Sequence, residues 1–158
     1  MTTVSSTGKK ITNWLAGIKN DNSYQKISLN CYIKTEVKFS DKTRFDFLIS
    51  NNKTKCFLEV KNVTLIRTEK IAEFPDAITS RGTKHLKELV VARKKGFESY
   101  ILYLIQREDL KTFKIAKDID EEYKNAFDDA LKNGVKVLCY DCKLNNEEIK
   151  LNNQINYE

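Results

Sequence analysis

Asp46, Glu59 and Lys61 are spaced as metal-assisted phosphodiester hydrolysis would need them. In Phe57-Leu-Glu59-Val-Lys61, strand alternation puts Glu59 and Lys61 on one face. In Phe45-Asp46-Phe47 the same alternation turns the carboxylate away from both phenylalanines. If the loop Asn51 to Thr54 closes a hairpin, Ser50 opposes Lys55, and counting back sets Asp46 opposite Glu59. Two facing carboxylates repel unless a cation sits between them. Oxygen donors with no imidazole nearby in sequence suit Mg²⁺ or Mn²⁺, whose remaining ligands are water and substrate phosphate. Lys61 adds a mobile positive charge that would orient an attacking water and offset charge building on the phosphate. Glu36, beside Lys34 and Lys38, is a further candidate for the metal shell. A lone Glu-x-Lys on a strand usually marks a solvated face. Here both acids are embedded in apolar runs, where an unpaired charge is costly.

The elements that must position these groups follow from periodicity. Ile11, Trp14, Leu15 and Ile18 have helical spacing and predict a short amphipathic helix. Alternation from Ile27 to Phe39 predicts a half-buried strand, and Ser40 to Thr43 a turn. Arg44 to Ser50 and Lys55 to Val63 predict two more strands. Thr64 to Thr83 reads as polar and irregular. Lys84 to Lys95 predicts a helix with Leu86, Leu89 and Val90 on one face and Gly96 as its stop. Ser99 to Ile105, nearly all apolar, predicts a central strand. Asp120 to Lys132 predicts a helix with acids at its start, where the dipole favours them. Val135 to Tyr140 predicts a last buried strand. The expectation is an α/β fold, a mixed central sheet flanked by helices. It divides into an N-terminal helical segment at 1–24, a core domain at 25–144 and a polar, poorly ordered tail at 145–158.

Composition narrows the partners. The 158 residues suit one domain, with 41% hydrophobic and 32% charged residues. Lys and Arg number 28 against 22 Asp and Glu, a net +6, which favours polyanions and equally fits a lysine-rich solvated surface. No apolar run approaches the ~18 residues of a membrane helix. The first ten residues lack a signal peptide's apolar stretch, so a cytoplasmic location is the expectation. Cys139-Tyr-Asp-Cys142 has the spacing of half a zinc site, but Cys31 and Cys56 stand alone and His85 is the only histidine. Buried structural thiols are the better reading.

Longer stretches carry a resemblance. Thr43-Arg-Phe-Asp-Phe-Leu-Ile49, Leu58-Glu-Val-Lys-Asn-Val-Thr-Leu65, the block from Phe74-Pro-Asp to His85-Leu-Lys-Glu-Leu89, and Leu104-Ile-Gln-Arg107 are similar to the SfsA family, the sugar fermentation stimulation proteins. Asp118, Asp120, Tyr123 and Gly134 to Val137 extend the similarity, which covers roughly residues 25 to 142. The resemblance implies a restriction-endonuclease-like PD-(D/E)XK core that binds DNA or RNA, with Asp46, Glu59 and Lys61 at the nuclease positions and Glu36 at an acidic one. It also implies an N-terminal OB-like domain of roughly eighty residues, which this chain matches only through Ser6-Thr-Gly8. Nucleases of this fold often form homodimers. Ser80-Arg81-Gly82-Thr83 ahead of Lys84, His85 and Lys87 suggests a phosphate grip at a helix start. The plainer alternative is a helix capped by Thr83. Gln106, ending the central strand, is a further candidate for nucleic-acid contact. Three functions remain open at this point: a metal-dependent nuclease, a non-catalytic DNA-binding regulator of sugar metabolism on a nuclease fold, and a scaffold that docks a separate OB-like chain.

Overall fold

A computed structural model describes residues 32–144 and 149–158. The expected helix around Trp14, the first part of the strand beginning at Ile27, and Cys31 lie outside the described residues. Within them the chain forms β1 (Tyr32–Ser40), β2 (Thr43–Ser50), β3 (Lys55–Val63), β4 (Leu65–Thr68), β5 (Ile71–Phe74), α1 (Ser80–Lys94), β6 (Glu98–Ile105), β7 (Thr112–Ile115), α2 (Glu121–Lys132), β8 (Lys136–Leu144), β9 (Ile149–Gln154) and β10 (Asn156–Tyr157).

Among the described residues there are two sheets. One has the order β1-β2-β3-β6-β8-β9, the other β10-β7-β5-β4. The β2–β3 hairpin has the register its four-residue loop predicts, from Ser50 opposite Lys55 to Phe47 opposite Leu58. Asn51 fixes that register: its Oδ1 accepts from Lys53 N at 2.8 Å and Thr54 N at 2.7 Å, and its own N–H donates to Thr54 O at 2.9 Å. β3, β6 and β8 run parallel. Parallel neighbours need crossovers, and these run through α1 and α2.

Both helices contribute to one core cluster, with Leu86, Leu89, Tyr123 and Phe127 packed against Phe45, Phe57, Ile101 and Tyr103. The opposite sheet face carries Phe47, Ile49, Leu58, Leu102, Leu104, Tyr140 and Cys142, joined by no residue of either helix. Phe45 and Phe47 therefore belong to different clusters, which simple alternation forbids. The same break falls on β1, where Ile33 packs with the second cluster and Val37 with the first. Between them stands Glu36, at φ 53, a left-handed conformation uncommon for a residue with a side chain. The expectation that Asp46 faces away from two phenylalanines sharing a face is thus corrected: β1 and β2 both switch faces where Glu36 and Asp46 sit.

The stretch read as irregular holds β4, β5 and the first turn of α1. Arg67 of β4 anchors this second sheet, donating to Glu73 at 2.8 and 2.7 Å and to Asp118 at 2.8 Å. Glu73 is only 1% exposed, and the Arg67 guanidinium holds its carboxyl below the usual range. The polar tail also folds: β9 extends the large sheet and β10 pairs with β7. Cys139 and Cys142 point to opposite faces of β8, one in each cluster, so they do not form half of a zinc site. Burial pushes the Cys56 and Cys139 thiols up to about 12, the behaviour of inert structural cysteines.

Candidate active site

Asp46 enters the site because β2 and β3 stop pairing at Phe47 and Leu58. Beyond that point the Asp46 carboxylate takes the place of a backbone partner, its Oδ2 accepting from Val60 N at 2.8 Å. Asp46 and Glu59 are therefore neighbours without being an opposed ladder pair. Burial and the adjacent Glu59 charge push the Asp46 carboxyl up to about 6, against the Val60 N–H and the Lys61 ammonium. Glu36 adds a smaller push in the same direction.

Glu59 is 3% exposed on the helix side of β3. Its Oε1 accepts from Lys61 Nζ at 2.7 Å and meets His85 Nδ1 in a very short contact. Lys61 Nζ and His85 Nδ1 are 3.1 Å apart. A carboxylate oxygen only accepts, so Nδ1 must carry a proton, and the two nitrogens are donors sharing one acceptor. Burial would raise the Glu59 carboxyl, but the bonds to His85 and Lys61 outweigh it and hold it below the usual range. Its second oxygen, Oε2, is buried and has no hydrogen-bond partner in the protein. An orphaned buried carboxylate oxygen is expensive, and it is the position a cation would occupy.

The donor set fits a hard divalent ion. No three His, Cys, Asp or Glu side chains converge on a metal-sized point among the described residues. Two carboxylates, with water and substrate oxygens completing the shell, are what Mg²⁺ or Mn²⁺ takes. Glu36 is exposed and does not close the pair into a three-carboxylate cluster.

The wall behind these groups comes from the two helix starts. Thr79, not Thr83, caps α1, its hydroxyl accepting from Gly82 N at 3.0 Å. Asp120 caps α2 through Tyr123 N at 2.9 Å and also accepts from Thr79 N at 2.8 Å, so one carboxylate ties both helices. Tyr123 then lies against Gly82, where an added Cβ would meet its Cε2 at 3.0 Å. Its hydroxyl is 2.6 Å from that of Tyr103, whose strand position neighbours Lys61. Sequence reasoning missed this tyrosine pair.

His85 stands here as a partner of Glu59, 4% exposed, rather than on an open surface. One signal was available: His85, Leu89 and Ala92 recur at helical spacing and share the buried stripe. Arg81 and Lys84 line a cleft of about 670 Å³ beside the site, together with Glu36 and His85. Lys87 points elsewhere, pairing with Glu122 of α2 at 3.1 Å. Gln106 reaches Asn62 at 3.4 Å and does not line the cleft.

The sequence pattern of the sugar fermentation stimulation protein RE domain, SfsA, matches residues 10–148. The chain belongs to the SfsA family. A sugar fermentation stimulation protein homolog of Pelagibacter ubique (strain HTCC1062) is 55% identical over 135 residues, 85% of this chain and 58% of that protein. A homolog of Bartonella quintana (strain Toulouse) is 44% identical over 124 residues, 77% of this chain and 53% of that protein. The chain thus spans little more than half the length of these SfsA relatives. Among solved structures, Pyrococcus furiosus SfsA in complex with Ca²⁺ superposes with a TM-score of 0.78 and 25% identity, covering 93% of this chain and 65% of that one. The fold is restriction-endonuclease-like, as the sequence led us to expect. No helix among the described residues is long and apolar enough to cross a membrane.

Proposed function

We propose that this SfsA-family chain is a divalent-metal-dependent nuclease that hydrolyses phosphodiester bonds in DNA or RNA. One observation carries the reading: the buried Glu59 carboxylate keeps a partnerless oxygen while its repulsion helps push neighbouring Asp46 up to about 6. With Lys61 and His85 both engaged at Glu59 Oε1, Glu59 Oε2 and the neighbouring Asp46 carboxyl are left to a cation that arrives with its substrate. The Pyrococcus furiosus relative was solved in complex with Ca²⁺, which supports a divalent cation as the kind of ligand.

Asp46 and Glu59 would hold the ion. Bound there, a divalent cation supplies Lewis-acid polarisation of the phosphate and lowers the pKa of a coordinated water. The protein's own groups do the rest. His85 Nδ1–H fixes one oxygen of Glu59 and leaves the other free to hold the ion. Lys61, with its side chain 12% exposed and its ammonium beside Glu59, would offset charge building on the phosphate oxygens.

Cleavage of labelled single- and double-stranded DNA and RNA with Mg²⁺ or Mn²⁺ tests the reading. The wild-type chain is expected to cut at least one of them, with Glu59→Ala and Lys61→Ala slower by about a hundredfold or more. Equal rates for all three proteins would refute it. The relatives' name, sugar fermentation stimulation protein, favours a second reading as a DNA-binding regulator. That reading expects salt-sensitive binding that survives Asp46→Ala and Glu59→Ala, with no cutting under either metal.

A further inference from the structure

We propose that the cleft between the β1–β2 turn and the start of α1 holds backbone phosphates of a nucleic-acid strand next to the scissile one, through Lys42, Thr43 and Arg44. The proposal rests on the nuclease reading for what happens at Asp46 and Glu59, and on separate residues for how the strand is held.

Five cations line this cleft: Lys38, Lys42 and Arg44 from the hairpin side, Arg81 and Lys84 from the helix side. The opposing carboxylates are Glu36 and Asp41 alone, and Asp41 is engaged by Lys38 at 2.9 Å. Lys42, Arg44 and Arg81 make no ion pair among the described residues. Lys84 spans the cleft, donating to the carbonyl of Lys42 on the other wall. Cations gathered along one cleft repel, and an anion among them is the natural relief.

The helix side adds to the field. The first turn of α1 holds no acidic residue and carries Arg81, cations placed at the positive end of the dipole. A helix start alone would be weak grounds. The second observation is Thr43, 4% exposed and lining the same cleft, whose Oγ1 is buried with no hydrogen-bond partner. An unpartnered hydroxyl in the wall of a cationic cleft is a donor for a phosphate oxygen. Glu36 and His85 also line this cleft, and His85 is the partner of Glu59, so the cleft lies beside the acidic pair. A track of several separated cations with one neutral donor suits a chain of phosphates better than a single small anion.

Anisotropy titrations in EDTA, where no cutting occurs, test this. The probes are a fluorescein-labelled DNA strand of about a dozen nucleotides and its duplex, each titrated across a salt series. Replacing two phosphate contacts in the double variant Lys42→Ala, Arg44→Ala should lower the slope of log K against log salt by about 1.4 to 1.8 on whichever probe binds. Thr43→Val should weaken binding several-fold without changing the slope, because the hydroxyl carries no charge. The charge-preserving double variant Lys42→Arg, Arg44→Lys should keep the wild-type slope, which separates a charge effect from misfolding. Lys132→Ala, at the end of α2, should bind as wild type. Inorganic phosphate should compete only as salt does. An alanine double variant with wild-type affinity and slope, a wild-type chain that binds neither probe, or tight displacement by inorganic phosphate overturns the proposal. Cutting by the wild type beside an unaltered double variant sinks the phosphate track alone. Binding that depends on Lys42 and Arg44, with no cutting under Mg²⁺ or Mn²⁺, sinks the nuclease reading alone.

Discussion

Asp46 ionises against the fold, and that gives the site a measurable cost. Its carboxyl is pushed from an ordinary 3.8 up to about 6, first by burial and then by Glu59. The folded chain therefore binds a proton more tightly than the unfolded chain. By linkage, this group lowers the stability of the metal-free protein as pH rises from about 4 through 6, and the loss is complete above that range. Two pH units correspond to about 3 kcal/mol. Asp46→Asn keeps the size and the acceptor for Val60 N–H while removing the charge. In EDTA at pH 8 it should melt several degrees above wild type, and at pH 4 the two should coincide. It should also lose the stabilisation that Mn²⁺ gives the wild type. A variant no more stable than wild type at pH 8 would show that the acidic pair is not strained. The same titration sets the pH profile of metal binding, which should weaken as pH falls through about 6. That Asp46 and Glu59 are neighbours was legible in the sequence, because the hairpin loop lays their strands side by side. The third partner was not, because helical periodicity hides a polar residue such as His85 within an apolar stripe.

The elements were legible where they are long and their chemistry is local. The hairpin loop dictated its register, Gly96 at φ 91 marks the end of α1, and Asp120 caps α2 as its acidic start suggests. The four-residue strands β4, β5 and β7 escaped, because so short a run shows no period and their pairing is decided by distant partners such as Arg67 with Asp118. The start of α1 escaped for another reason. Ser80-Arg-Gly-Thr83 holds weak helix formers, and the turn is stabilised from outside by Thr79 and Asp120. Gly82 is the tightest point of that arrangement. A methyl group there would lie 2.9 Å from Thr79 Cγ2 and 3.0 Å from Tyr123 Cε2, closer than such atoms approach. Alanine is ordinarily the better helix former by about 1 kcal/mol. Here the clash should win, and Gly82→Ala should destabilise the chain by about 1 to 3 kcal/mol. Because α1 carries His85, the proposed nuclease activity should fall more than the loss of folded protein explains. Thermal melts alongside activity per folded molecule check both parts. A Gly82→Ala protein that melts at or above wild type would mean that the two helix starts are not in tight contact.

At the scale of the whole molecule, the two sheets are joined by the last ten residues. β9 pairs with β8 in the large sheet, and β10 pairs with β7 in the small one. Between them Ile155, 7% exposed, sits in the helix-side core, and its N–H donates to Cys139 O at 2.8 Å. At the very end, Glu158 N donates to Phe113 O at 2.9 Å, and the Tyr157 ring meets Phe127 of α2 edge-on with centroids 6.1 Å apart. Polar composition concealed all of this: Asn152, Asn153 and Gln154 read as solvent-loving, and as an edge strand that is what they are. Their contribution comes from backbone pairing, which composition does not report. Removing residues 149–158 should therefore act on both sheets at once. Hydrogen exchange should speed up at Phe113 in β7 as well as along β8, and the melting temperature should fall by 10 °C or more, given about 2 to 4 °C per kcal/mol for a chain of this size. Asp46 on β2 and Glu59 on β3 lie three and two strands away from β8, with β6 between. Mn²⁺ should consequently still stabilise whatever fraction of the shortened chain folds. Faster exchange confined to β8, with β7 protected as before, would mean that the tail is an ornament on one edge rather than the link between the sheets.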